Sequence, residues 1–372
     1  MSLSQNYDNN PTIIKYKFIK FDSNAGTKLL VSKNIQYFSE CTLFSRELLP
    51  SQIKTIRKAM NEWEKVTNVK FVYEENNPKL FISATDLNYF ILDKTREVLG
   101  SGWEINFKEQ QVLFIDYKAG FENQESSMWL LLHELGHVPF LLEHISEYPA
   151  HLRVSDNSLA SVMSYNHIKN SANKIIYPVT PSHFDISLVQ QKFGINKVST
   201  SGDNMYKFSS ETYGHYTLYD HAGNDTIDLS NFNENLNINL NSGNLNKVSN
   251  SFSFLIYNTS IIENIITGSG NDIIYGNETS NKINAGSGTN IIYGGLGADY
   301  FVFNKINKSI NTIKDFALKE DKIILEDFSL NCSDLARIII KNHYSTIIKP
   351  DHYTTIEIMG NFDLLTCDNF VF

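Results

Sequence analysis

Residues 267–302 repeat with a period of nine. The units 267–275, 276–284, 285–293 and 294–302 carry Asp272, Asn281, Asn290 and Asp299 at their sixth position and Ile274, Ile283, Ile292 and Phe301 at their eighth. Gly268, Gly270, Gly286, Gly288, Gly295 and Gly297 sit ahead of the sixth positions and permit tight turns. A glycine-rich loop without fixed structure has no reason to keep such a phase. Each unit is therefore read as one short strand with an inward-facing apolar residue, and only stacked neighbours can bury it. If two units make one full turn, Asp272 pairs with Asn290 and Asn281 with Asp299. The change of composition begins earlier, after Asn196, where the chain becomes rich in Asn, Gly and Ser. Residues 231–250 look like low-complexity sequence, but Leu236, Ile238 and Leu240 alternate as they do in a strand.

The first half holds a second constraint, His133-Glu134-Leu135-Gly136-His137. A helix brings residues i and i+4 onto one face, so two imidazoles can share one metal ion, and Glu134 on the flank can reach a metal-activated water as a general base. The pattern describes a zinc hydrolase. Ser126 and Ser127 are cap-type residues ahead of the apolar run Met128-Trp129-Leu130-Leu131-Leu132, which reads as a buried helix. Pro139 should stop that helix and turn the chain back, making Glu143 and His144 the next candidate ligands.

Ser161-Val162-Met163-Ser164-Tyr165 resembles the Met-turn of the metzincins, in the form found in the serralysins, secreted bacterial zinc endopeptidases. Pro181 with Asp185-Ile186, Gln190 and Phe193-Gly194-Ile195-Asn196 resemble the stretch that closes the serralysin catalytic domain. Gly223-Asn224-Asp225-Thr226-Ile227-Asp228, Ile262-Glu263-Asn264-Ile265, Asp315-Phe316 and Asp321-Lys322-Ile323 fit the second domain of the same template. The resemblance runs from about Pro50 to the C-terminus and departs from the family at the metal. Metzincins have Gly and His where this chain has Phe140 and Glu143, and His144 arrives one residue late. His144 is the expected third zinc ligand after His133 and His137, with Glu143 as the alternative. The resemblance further implies that Tyr165 stabilises the oxyanion and that Met163 is a packing floor. It also implies that the repeat is an RTX β-roll holding several calcium ions between turns, at Gly268, Gly270, Asp272, Asn281, Gly286, Gly288, Asn290, Gly295, Gly297 and Asp299. With one carboxylate per shared pair, these sites should be weaker than a consensus roll. Asp225 and Asp228 are read as a separate calcium site or as a strand cap.

The expected architecture is an α+β zincin (metzincin) catalytic domain over residues 1–197, then an all-β parallel β-roll (RTX) and secretion domain over 198–372. Residues 1–49 match poorly and are either part of the first domain or a propeptide. An amphipathic helix is expected at 50–66 and strands at 69–73, 79–83 and 112–117, the last as the substrate-pairing edge. The net charge of -9 argues against nucleic acid or an anionic membrane as partner. No segment has the uninterrupted apolar length of a membrane span, and no Sec-type leader is recognised. Cys41, Cys332 and Cys367 lack CxxC spacing and are read as three unpaired thiols, with a Cys332–Cys367 pair as the alternative. Residues 356–372 are similar to the uncleaved C-terminal signal of RTX proteins that leave Gram-negative cells through a type I exporter. The expectation is a secreted, monomeric zinc endopeptidase acting on proteins and peptides. A catalytically inactive, calcium-binding extracellular relative is the alternative.

Overall fold

The computed structural model describes residues 10–19, 45–85, 100–105, 110–116, 124–150, 154–305, 308–360 and 365–372. The chain divides into two compact units, one of residues 1–199 with 214–217 and one of residues 200–213 with 218–372.

The first unit is built on a mixed sheet of β1 (Thr12–Phe18), β2 (Ser45–Arg46), β3 (Val69–Tyr73), β4 (Leu80–Thr85), β5 (Gly100–Ile105) and β6 (Gln110–Asp116). The order is β3-β1-β4-β6-β5, with β2 pairing β4 off this path. β1, β3, β4 and β6 run parallel, and β5 closes one edge antiparallel to β6. One expectation changes here. The strand expected at 112–117 is not the edge: β6 is hydrogen-bonded on both sides, and its continuous buried run Val112-Leu113-Phe114-Ile115 is what a strand covered on both faces requires. Tyr117 lies outside the described residues. β1, from the poorly matched N-terminal stretch, is an interior strand between β3 and β4.

The helix α1 (Pro50–Val66) starts with Pro50 in its first turn and buries Ile56, Ala59, Met60, Trp63 and Val66 at helical spacing. Its last carbonyls would be left without partners. Residues near the end of the unit supply them: Gln190 Nε2 donates to Val66 O (2.7 Å), Asn196 Nδ2 to Glu64 O (2.6 Å) and Ser199 Oγ to Lys65 O (3.0 Å). The next helix, α2 (Gln124–His137), carries the HExxH residues and begins two residues before Ser126, so the two serines lie inside its first turn rather than ahead of it. A short antiparallel pair, β7 (Ile168–Lys169) and β8 (Ile175–Ile176), precedes α3 (His183–Phe193).

Two seven-stranded sheets make up most of the second unit. One is entirely parallel, in the order Phe370–Val371, Lys322–Ile324, Tyr300–Val302, Lys282–Asn284, Asn264–Ile266, Thr226–Asp228 and Met205–Lys207. The other runs parallel from Asn237–Asn239 through Ile273–Tyr275, Gly288–Tyr293 and Ser309–Ile313 to Thr354–Met359. It ends in the antiparallel strands Ser345–Ile348 and Ile339–Lys341. Ile273 pairs with Ile291 and Lys282 with Tyr300, so two nine-residue units make one turn. Ile274, Ile283, Ile292 and Phe301 are buried between the sheets. The parallel strands and repeated register are those of a β-roll. The asparagine-rich stretch is ordered: Asn237–Asn239 pairs with Ile273–Tyr275, and Leu245–Lys247 forms an antiparallel pair with Phe252–Ile256. Cys332 and Cys367 form a disulfide with Cα atoms 5.3 Å apart, which corrects the reading of three free thiols; their 35-residue separation in sequence hides the proximity. Cys41 lies outside the described residues.

Candidate metal centre

Three imidazoles meet where α2 ends. His133, His137 and His144 each offer a ring nitrogen to a group whose members all lie within 4.8 Å of one another. The first two stand on α2. The third is brought back by the turn after the helix, and Phe140 sets that turn. Its ring is fully buried against Trp63 (4.7 Å between centroids), Phe193 (5.6 Å) and Phe71 (6.2 Å). Leu141, next in the chain, takes a left-handed φ of 56°. That conformation costs a residue with a Cβ roughly 1–2 kcal/mol, while burying a phenylalanine side chain is worth roughly 1.5–3 kcal/mol. The anchor outweighs the strain, so the bend forms without glycine. Two residues on, Leu142 N donates to Gly136 O (2.9 Å) and locks the return.

Backbone carbonyls fix two of the rings. His133 Nδ1 donates to Val162 O and His137 Nδ1 to Leu142 O, both at 2.8 Å, which leaves each Nε2 with its lone pair free. His144 Nδ1 faces the Glu147 carboxylate at 3.2 Å. Its Nε2 lies 3.2 Å from His137 Nε2 and 3.2 Å from the Tyr165 hydroxyl. Two bare ring nitrogens facing each other repel unless something positive stands between them. Their 3.2 Å separation matches the spacing of about 3.3 Å between ligands of a tetrahedral ion with bonds of about 2.05 Å. His133 Nε2 is buried and has no hydrogen-bond partner among the described residues. Burial lowers the pKa of His133 to about 3 and also lowers that of His137, so both rings are neutral, as metal ligands must be. By these measures the three residues fit a zinc ion.

Glu134 is buried on α2 beside His133. Glu143 is exposed, its backbone N–H takes the Tyr148 hydroxyl as acceptor (3.1 Å), and the neighbouring Glu147 carboxyl raises its pKa. It is not part of the imidazole group. The Tyr165 ring lies 4.9 Å from His144 and 5.0 Å from His133, and its side chain is largely exposed.

The turn beneath the imidazoles depends on residues whose part was not evident in the sequence. Asp185, fully buried in the first turn of α3, accepts from Ser161 Oγ (2.5 Å), Val162 N (2.8 Å) and Ser182 N (2.9 Å). Val162 O, held in this way, accepts from both His133 and Trp129 Nε1 (3.0 Å). Met163 is buried, and a Cβ on Gly136 would stand 2.5 Å from its sulfur. The capping pattern Ser182-x-x-Asp185 was the available signal for Asp185.

In the repeat, the sixth-position side chains link turn to turn. Leu236 N donates to Asp272 Oδ1 (2.9 Å), Asp272 N to Asn290 Oδ1 (2.9 Å), Asn281 N to Asp299 Oδ1 (2.8 Å) and Asp299 N to Asp321 Oδ1 (2.9 Å). The pairs Asp272–Asn290 and Asn281–Asp299 are the ones the period requires. Gly286 and Gly288 have φ of 63° and 94°, and a Cβ on either would run into the carbonyl oxygens of Gly268 and Gly270 in the adjacent turn. Asp272 Oδ2, Asp299 Oδ2 and Asp225 Oδ2 are buried without an amide donor among the described residues. Burial raises the pKa of Asp272 and pushes that of Asp299 up to about 7. Asp228 instead pairs with Lys207 Nζ (2.7 Å) and accepts from Ser230 N (2.9 Å), the arrangement of a strand cap.

A family described as peptidase M10 serralysin C terminal matches residues 190–351. Serralysin B of Dickeya chrysanthemi is 29% identical over 265 residues, 60% of this chain and 53% of that protein. Serralysin of Photorhabdus laumondii is 30% identical over 274 residues, 63% and 54% of the two chains. Metalloprotease AprA of Pseudomonas entomophila is 34% identical over 174 residues, 38% and 35%. The chain thus spans about half the length of the first two relatives.

Proposed function

We propose that this chain, a divergent serralysin-type protein, is a zinc endopeptidase that hydrolyses peptide bonds of extracellular proteins. The observation that carries the reading is the convergence of three imidazoles, with His133 Nε2 buried and lacking a partner among the described residues. Zinc held by His133, His137 and His144 would supply Lewis-acid chemistry, acidifying a water and polarising the scissile carbonyl. Glu134 is the proton carrier, taking the proton of the attacking water and passing it to the leaving amine. Tyr165, a phenol that is uncharged at neutral pH, donates its hydroxyl to the oxyanion as charge develops there. It must leave His144 to do so, which its largely exposed side chain permits. Met163 packs beneath the site and ligates nothing. The edge strand β5, antiparallel to β6, offers its outer side to an extended peptide, whose backbone it would pair by strand addition.

The same reading covers export and calcium. The chain leaves the cell by a type I exporter through its C-terminal residues, and Phe370–Val371 also pairs with Lys322–Ile324 as the last strand of its sheet. Calcium is assigned to turns bearing aspartate, where Asp225, Asp272 and Asp299 each hold a buried carboxylate oxygen with no amide donor among the described residues.

The test is zinc stoichiometry measured together with casein hydrolysis, on the wild type and on Glu134→Ala. The wild type should hold one zinc and cleave casein. The variant should keep its zinc and lose activity by about 100-fold or more. A wild type without zinc, or one that holds zinc and leaves casein intact, would favour a non-catalytic extracellular binding protein instead.

A further inference from the structure

Two of the four repeat units place asparagine where the others place aspartate, and there the structure disagrees with a calcium site. Asn281 and Asn290 are both fully buried. Asn281 Nδ2 donates to Glu263 O in the neighbouring turn (2.9 Å) and to Asn277 Oδ1 in its own unit (3.0 Å). Asn290 Nδ2 reaches Ala285 O (3.0 Å) and Ser287 O (3.3 Å) in its own unit and Asn311 Oδ1 in the next turn (2.9 Å). The orientation of both amides is fixed by their other ends. Asn281 Oδ1 faces Asn277 N (2.8 Å) and Asn290 Oδ1 faces Asp272 N (2.9 Å), and a backbone N–H can only donate. The atom toward each N–H is therefore oxygen, and the atom toward the converging oxygens is NH2.

We infer that the side-chain amides of Asn281 and Asn290 do the work of a divalent cation between turns, so that these two turns close without calcium. The aspartate positions supply the contrast within one repeat. At Asp272 and Asp299, Oδ1 accepts a backbone N–H as the asparagine oxygen does, but Oδ2 is buried with no amide donor among the described residues. An anionic oxygen among carbonyls needs a cation or a proton. An NH2 in the same place satisfies those oxygens itself, and its hydrogens would repel an incoming ion. Asn277 extends the arrangement: it stands where three of the four units have glycine, and its Oδ1 also accepts from Thr279 N (3.0 Å) and Oγ1 (2.8 Å) while its Nδ2 donates to Ile262 O (2.9 Å). The oxygens around Asn281 are thus saturated by protein donors. The repeat becomes a mixed device, with amide-closed turns as a permanent frame and aspartate turns left to respond to calcium.

The experiment uses the full chain in calcium-depleted buffer, titrated with calcium chloride, for the wild type and Asn281→Asp/Asn290→Asp. Thermal unfolding by circular dichroism and bound calcium per chain are the two readings. The double variant should unfold at lower temperature than wild type without calcium, gain more from added calcium, and bind more ions. An unchanged ion count with an unchanged calcium-dependent gain would overturn the inference. Hydrogen exchange on the wild type keeps the question decidable if the double variant does not fold. The backbone amides of Asp272 and Asn277, held by the two asparagine oxygens, should be protected without calcium and change by less than about threefold on its addition. A rise in their protection of about tenfold or more with calcium would show that these turns need the ion.

Discussion

Gly136 and Met163 are in contact through the absence of a side chain: a Cβ on the glycine would lie 2.5 Å from the methionine sulfur. This ties the helix that carries His133 and His137 to the turn whose Val162 carbonyl orients His133. Gly136→Ala should therefore do more than overpack a core. It should lower stability by about 1–3 kcal/mol, the usual cost of forcing a methyl group into a filled site, and weaken zinc retention in the same variant. Thermal unfolding and zinc content after dialysis are the measurements; a variant that melts like wild type and keeps its metal would remove Gly136 from the architecture of the site.

The third ligand separates by truncation. His144 stands in the imidazole group, whereas Glu143 is exposed and engaged with Tyr148 and Glu147. His144→Ala should abolish stable zinc binding, and Glu143→Ala should leave zinc and activity close to wild type. The opposite ranking in a metal-content assay would hand the ligand role to Glu143, and small equal effects would argue for no zinc site.

The two histidines of HExxH could be placed on one face from periodicity alone, because both belong to one helix. The return of His144 could not, since it depends on Phe140 finding Trp63, Phe71 and Phe193, residues from three other parts of the chain. The sequence narrowed the choice to Glu143 and His144 and stopped there. In the repeat, the pairing of Asp272 with Asn290 and of Asn281 with Asp299 was readable because strict phase makes register arithmetic. What asparagine does in place of aspartate was not readable, since it depends on which oxygens converge on the amide. The edge strand is hidden in the sequence for a local reason. Gly100-Ser101-Gly102-Trp103-Glu104-Ile105 carries two glycines and a weak strand pattern, while the apolar run of β6 is the stronger strand signal, and such runs mark strands buried on both faces.

Asp185 acts at a distance from the metal, through Ser161 and Val162. Its carboxylate has three donors, and an asparagine there offers one acceptor oxygen and sets an NH2 against one of them. Asp185→Asn should cost about 1–3 kcal/mol from the donor left unsatisfied. If positioning is its role, zinc affinity should also fall, because Val162 O is the acceptor that aims His133. A variant that loses stability and retains full zinc affinity would confine Asp185 to a structural part.

The last prediction concerns acid sensitivity. His215 is fully buried, and burial lowers its pKa from 6.5 to about 4. Asp185 is shifted the other way, from 3.8 to about 6, again chiefly by burial. The signs are opposite. As pH falls from 6.5 toward 4, the unfolded chain protonates His215 while the folded chain does not, so stability is lost across that window. As pH falls from about 6 toward 3.8, the folded chain protonates Asp185 first and stability is regained. Comparing two proteins that share Asp185 cancels its part. For His215→Gln against wild type, the stability lost between pH 7 and pH 5 should be smaller in the variant by about 2 kcal/mol, whatever the offset at pH 7. Denaturant unfolding at the two pH values measures this difference directly. Parallel losses in the two proteins would mean that His215 takes up its proton in the folded state near its ordinary pKa, and that the interior around it admits charge more readily than its burial implies.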